Sequence, residues 1–210
     1  MSNRQLNILV LLAVFYVAAQ MLADVTSLRI LFIAGLSIDG GTLIYPFTFT
    51  LRDLVHKATN KQIARTLIFA AAGINILMAF LFWVVAELPA DGTVGSQVEF
   101  AVVLAPVWRI VIASIVAEVV AELIDGEVYE RWVNRFADKH QWARVMSSNA
   151  ISVPIDSALF VIIAFIGVLP TSVIWSIFAA NVLVKSSVTF LSTPWIYLVK
   201  PPQLLHKLST

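Results

Sequence analysis

The sequence predicts an all-α integral membrane protein with six transmembrane helices, forming a single domain over residues 1–210. Three observations carry this reading. First, 60% of the residues are hydrophobic and 13% are charged, against about 45–50% and about 25% in a soluble domain. So little charge cannot cover a soluble surface, which excludes a soluble enzyme, a disordered tail and a nucleic-acid-binding module. Second, the apolar residues gather into runs near the length of about 20 residues that a helix needs to cross the hydrocarbon core. Third, the basic residues between those runs segregate to one side of a six-span arrangement, as cytoplasmic loops require.

Taken in order, span 1 covers about Leu6–Ala23. It follows Arg4 as a signal peptide would, but its apolar run is long and Gln20-Met-Leu-Ala-Asp24 offers no clear small-x-small cleavage site. It is therefore read as a true helix. Span 2 covers about Gly41–Leu54 and is the least regular, being short for a full crossing. An apolar stretch, Leu28–Leu36, precedes it, and Gly35-Leu-Ser-Ile-Asp-Gly-Gly41 interrupts the two. That stretch reads either as a short re-entrant or interfacial piece on the outside or as a plain loop. Irregular backbone at membrane depth needs cover from protein or water. Spans 3 to 6 are about Thr66–Glu87, Phe100–Ile124, Val145–Leu169 and Ser172–Val199.

Arg4, Arg52, Lys57, Lys61, Arg65, Arg131, Arg135, Lys139, Arg144, Lys200 and Lys207 all fall on one side of this arrangement, and Arg29 falls on the other. The loop between spans 3 and 4 carries Glu87, Asp91 and Glu99 without Lys or Arg. Both termini are therefore expected in the cytoplasm. The segment Asp125–Trp142, apolar at Val128, Trp132, Val133 and Phe136, is expected to lie on the cytoplasmic surface as an amphipathic anchor. There is no cysteine, so disulfides and thiolate sites are excluded. His56, His140 and His206 lie outside the long apolar runs, so neither a metal site nor a bound cofactor is expected.

Arg109 in span 4 and Lys185 in span 6 sit within apolar runs. A charge at the bilayer centre costs about 2.5–3.5 kcal/mol on insertion scales, so each needs a partner or a wet cavity. The acidic candidates are Glu118 and Glu122 in span 4 and Asp156 in span 5, with Asp53 ending span 2. Helical spacing places Asn149, Ser152 and Asp156 on one stripe, with Pro154 inside the helix, and Asn181, Lys185, Thr189 and Ser192 on another. Ser and Thr positions such as Ser152, Thr189 and Ser192, with Asn75, suit hydrogen bonding between helices. Asp156 with Lys185 is read as functional, since a bundle does not need a buried ion pair to hold together. Arg109 either joins that site or snorkels outward. Tyr45 and Phe47 flank Pro46 in the irregular span 2, where a broken helix presents rings and backbone to a midplane site.

The run Gly41-Thr-Leu-Ile-Tyr-Pro-Phe-Thr-Phe-Thr-Leu-Arg-Asp-Leu54, followed by basic residues, resembles the queuosine-precursor transporter family, also called the vitamin uptake transporter family. Arg109 with Ala113-Ser114 and the stretch to Asp125 and Tyr129, Ser148-Asn149 through Asp156-Ser157, and Lys185 are similar to the same pattern. Glu118 and Glu122 depart from it. The resemblance implies a multi-pass protein of the bacterial or archaeal cytoplasmic membrane, with a fold like the substrate-binding subunits of energy-coupling-factor transporters. It implies uptake of 7-deazaguanine precursors of queuosine: preQ0, preQ1 and, by extension, queuine.

The chemistry agrees with such a ligand. A ring such as Phe47 or Trp108 can stack on a flat deazaguanine. A carboxylate of Asp156 or Glu118 can accept its paired N–H donors, and Asn149, Lys185 or Arg109 can donate to its carbonyl. An aminomethyl group, as in preQ1, favours a second carboxylate. The expected site lies between spans 2, 4, 5 and 6. Beyond the small-molecule substrate, the expected partner is the lipid bilayer, with no nucleic acid. The small residues Ala70-Ala-Ala-Gly73 suit packing within a chain or in a homo-oligomer. Two rival readings remain. A substrate-binding subunit would need a separate ATPase, since the chain lacks a phosphate-binding G-x-x-x-x-G-K-[ST] loop. An intramembrane enzyme would need a base beside its nucleophile, and the apolar spans offer no His. The protein is therefore not expected to be an enzyme.

Overall fold

The computed structural model describes residues 3–59, 61–136 and 141–192. Among these residues there are seven α-helices and one small hairpin. The helices are α1 (Asn3–Thr26), α2 (Tyr45–Ala58), α3 (Lys61–Glu87), α4 (Val98–Leu104), α5 (Val107–Phe136), α6 (Gln141–Phe165) and α7 (Thr171–Ser192). Five stretches are long and apolar enough to cross a membrane: Leu6–Thr26, Gln62–Glu87, Val98–Ala121, Met146–Phe165 and Thr171–Leu191. The third spans α4 and α5, whose junction is Ala105-Pro106, where the chain turns between the two helices.

The bundle is built inside-out relative to a soluble one. On α1, Val10, Val14 and Phe15 are exposed, while Tyr16, Gln20 and Asp24 are buried. The other long helices likewise present Phe69, Leu77, Trp83, Val102, Leu183 and Phe190 outward. Exposed apolar patches this extensive are rare on soluble monomers, and they match a surface solvated by lipid tails. This is a multi-pass membrane protein.

Between helices the packing relies on small residues. Ala113 and Ala117 of α5 meet Phe160, Val161 and Ala164 of α6 and Ile177 of α7. Alanines at such contacts let helix backbones approach closely, where van der Waals contact must replace the hydrophobic drive that lipid does not supply.

The segment before α2, expected as a re-entrant or interfacial piece or as a plain loop, is a β-hairpin. Ile30–Ile33 (β1) and Leu36–Asp39 (β2) form an antiparallel pair, with Ile30 opposite Asp39 and Ile33 opposite Leu36. Ala34 and Gly35 close it, both at positive φ, as the tightest hairpin turns require. The tip is exposed at Phe32 and Ile33, whereas Ile38 and Asp39 are buried at the base. Pairing satisfies the strand amides internally, and the Ser37 amide donates to Ser176 Oγ of α7 at 2.7 Å.

A 3-10 turn over Gly40–Leu43 follows. A Cβ on Gly40 would lie 2.5 Å from the Thr26 carbonyl oxygen, and one on Gly41 would lie 2.6 Å from that of Ala23. Only glycine lets this turn rest against the end of α1. Its entry is capped by Asp39, which accepts from the Thr42 amide. The 14 residues of α2 rise ~21 Å, short of the ~30 Å hydrocarbon core.

The expected surface helix is otherwise placed. Chain continues helically through α5 to Phe136, well beyond Ile124, and α6 begins at Gln141. Residues 137–140 lie outside the described residues, as do 193–199 at the expected end of span 6 and the tail beyond with Lys200, His206 and Lys207. The side chains of Asp53, Glu122, Asp125 and Tyr129 are likewise outside them.

Candidate functional site

Where α1 ends, the hairpin base, the 3-10 turn and the start of α2 meet the middles of α5, α6 and α7. A cleft there, part of it open to solvent, contains about 310 Å³ of space unfilled by protein atoms. Its polar wall comes from Asp24, Asp39, Thr42, Asp156, Asn181 and Lys185, and its rings are Tyr45 and Phe160.

The central feature is an ion pair. Lys185 Nζ donates to Asp156 Oδ2 at 2.5 Å, with side chains 4% and 1% exposed. The two residues come from α6 and α7, which run side by side. Lys185 Nζ also sits 4.7 Å from the Tyr45 ring centroid and 5.9 Å from that of Phe160, within cation–π range. Asp156 Oδ1 is buried and has no hydrogen-bond partner among the described residues. Pro154, two residues away inside α6, has no amide to donate, which locally loosens the helix ladder.

Asp39 is fully engaged. Its Oδ1 accepts from Ser27 Oγ at 2.9 Å and the Thr42 amide at 3.1 Å, and its Oδ2 accepts from Thr42 Oγ1 at 2.7 Å. The Thr42 hydroxyl also contacts Asn181 Oδ1. One hydroxyl has one proton, so it cannot donate to both. Turning the Asn181 carboxamide, an assignment that rests on the hydrogen-bond network, lets Nδ2 donate to Thr42 instead. Asp39 thus builds the wall: it holds the hairpin base to α1 and to the turn.

A second carboxylate layer ties α1 to α5. Ser114 Oγ donates to Asp24 Oδ1 at 2.7 Å. One turn along both helices, Gln20 Nε2 donates to Glu118 at 3.1 and 3.2 Å, and Tyr16 Oη, a further turn along α1, donates to Glu118 Oε1 at 2.7 Å. Asn75 Nδ2 of α3 donates to Gln20 Oε1 at 3.2 Å. Asp24 Oδ2 is buried and, like Asp156 Oδ1, has no partner among the described residues.

The expected site residues separate on this geometry. Asp156 and Lys185 line the cavity together. Glu118 is buried beside it in the Tyr16–Gln20 network and is not part of the lining. Arg109 turns the other way: its Nε donates to the Ile163 carbonyl at 2.8 Å and its terminal nitrogen to the Ile166 carbonyl at 2.5 Å. It therefore caps the C-terminal end of α6, where backbone carbonyls lack helical donors. Phe47 and Trp108 are 54% and 55% exposed and do not border the cavity; Tyr45 and Phe160 take the ring positions. Asn149 is half-buried, about two turns from Asp156 on α6, and is also outside the lining.

Asp24 is the residue that the sequence signal missed. Tyr16, Gln20 and Asp24 recur at every fourth position of an otherwise apolar helix. The same periodicity that singled out Asn149, Ser152 and Asp156 marks them too.

Residues 39–199 match a family described as putative vitamin uptake transporter. Over 170 residues the chain is 26% identical to a protein of Bacillus subtilis (strain 168) named probable queuosine precursor transporter; the alignment covers 79% of this chain and 73% of that protein. No solved structure matches the chain.

Proposed function

This chain belongs to the putative vitamin uptake transporter family, and from that premise we propose that it carries 7-deazaguanine precursors of queuosine, such as preQ0 and preQ1, into the cell across the cytoplasmic membrane. The observation that carries the reading is the buried Asp156–Lys185 pair with one carboxylate oxygen left over in a cavity. A guanine-like edge offers N–H donors beside a carbonyl. Asp156 Oδ1 is placed to accept from the donors, and Lys185, with protons beyond the one given to Asp156, to donate to the carbonyl. The Tyr45 ring gives a flat ligand a stacking face.

The relative's name supports the substrate class, since that protein is described as a queuosine precursor transporter. The proposed topology has six crossings with both termini in the cytoplasm. The hairpin, the 3-10 turn and α2 together act as the second crossing. The one-sided basic residues support that orientation. A likeness to the substrate-binding subunits of energy-coupling-factor transporters is part of the same proposal.

The test is ligand-dependent thermal stabilisation of the purified protein with preQ0, preQ1, queuine, guanine and common vitamins. A ligand that binds the folded state raises its apparent stability. Stabilisation by deazaguanines is the expected result; none from any of them refutes the reading. Uptake into liposomes without ATP separates a self-sufficient carrier from a subunit that needs an ATPase.

A further inference from the structure

The cavity contains more carboxylate than the ion pair neutralises. Asp24 and Asp156 both line it, are 3% and 1% exposed, and each keeps one oxygen with no partner among the described residues. Their situations differ. Asp156 has Lys185 at 2.5 Å. Among the described residues, Asp24 has only the neutral Ser114 hydroxyl as a hydrogen-bond partner, and the charge near it belongs to another carboxylate, Glu118. The cation acting on Glu118 is Arg52. Asp39, the third acid in the wall, has both oxygens bonded.

Among the described residues, three other buried side-chain acceptors lack partners, Asn75 Oδ1, Ser148 Oγ and Ser157 Oγ. They are uncharged and lie outside the cavity lining. A buried polar atom without a partner is costly, and more so when charged. The two orphan oxygens therefore describe what the cavity lacks. At the Asp156–Lys185 end it lacks N–H donors on a neutral group. At the Asp24 end it lacks a positive charge that also donates hydrogen bonds.

We propose that the cavity selects, among deazaguanines, those bearing a protonated amine arm, with Asp24 receiving the ammonium and the Asp156–Lys185 pair reading the guanine-like edge. This rests on the deazaguanine reading above and adds to it a residue and a charge preference. Asp24 precedes residues 39–199, which match the family, so membership does not supply the assignment. A neutral arm of similar size, a nitrile or a methyl, fills the space but leaves the Asp24 oxygen unpartnered.

The experiment compares the aminomethyl, nitrile and methyl deazaguanines by calorimetric titration of the purified full-length chain. In the wild type the amine binds about tenfold or more tightly than either neutral analogue, the worth of a charge-assisted hydrogen bond. Asp24→Asn removes that advantage by weakening the amine alone, and both neutral ligands stay within about twofold. Equal wild-type affinities for all three ligands overturn the proposal without any variant, and they leave the deazaguanine reading standing. Equal weakening of all three by Asp24→Asn also overturns it, since Asp24 would then shape the cavity rather than read charge. If none of the three binds, both readings fall together.

Discussion

Lys185→Met removes the cation from a pair whose side chains are 4% and 1% exposed. Asp156 is then left buried with two unpartnered oxygens, because Oδ1 has none to begin with. Breaking a buried pair from one side costs about 3–5 kcal/mol, since the remaining charge stays desolvated. A chain of this size loses about 2–4 °C of unfolding midpoint per kcal/mol, so the drop is roughly 6–20 °C. Asp156→Asn leaves Lys185 uncompensated apart from its contacts with Tyr45 and Phe160, and the loss falls in the same range.

The double variant Asp156→Asn/Lys185→Met buries no charge and recovers much of the stability, with a coupling of about 2 kcal/mol or more in the cycle. The assays are thermal unfolding in detergent and uptake of a radiolabelled deazaguanine. Uptake fails in all three variants, including the refolded double, because the pair reads the substrate as well as holding α6 to α7. Two results refute the reasoning: single variants within about 2 °C of wild type, or full uptake by either single variant.

Three further outcomes follow from the packing. Arg109→Gln frees two carbonyls at the end of α6 and lowers stability by about 1.5–3 kcal/mol. The KM of uptake stays unchanged, and a tenfold rise in KM at wild-type stability would return Arg109 to the substrate path. Gly41→Ala places a Cβ 2.0 Å from Ser27 Oγ and 2.6 Å from a backbone oxygen, so thermal unfolding should show a loss of about 1–3 kcal/mol, as for overpacking. Phe47→Ala and Trp108→Ala change ligand affinity by less than about twofold, whereas Tyr45→Leu weakens it by about 0.5–1.5 kcal/mol, the worth of an aromatic stack; titration of the purified variants distinguishes them.

Much of the site's chemistry was visible one residue at a time. Asp156 and Lys185 are anomalous in apolar runs whatever the fold, and each signals a partner. Their pairing was expected from that need alone, but its geometry was not visible, because periodicity assigns a face on one helix but not that helix's rotation against its neighbour. The same gap misplaced the rings. Phe47 sits two residues from Tyr45, and in α2 that separation turns it by about 200°, to the exposed side while Tyr45 meets Lys185. Arg109 and Glu118 share α5 yet face different tasks, a helix end and a buried network. The strands of the hairpin at Ile30–Asp39 were not legible, because four-residue strands leave a weak pattern; in the fold the hairpin is tied to α7 through the Ser37 amide.

The sequence by itself determined the class, because apolar length and charge scarcity are sums along a chain and need no contacts to evaluate. It determined, too, that a few charged residues within those apolar runs need explaining. Tertiary structure decided which of them meet. Asp24 and Asp156 lie far apart in the chain, and only the packing of α1, α5, α6 and α7 around the hairpin base brings both to one cavity. Burial there removes water as a partner, so each carboxylate must find its hydrogen bonds within the bundle or from a ligand, and two oxygens have not found theirs within it.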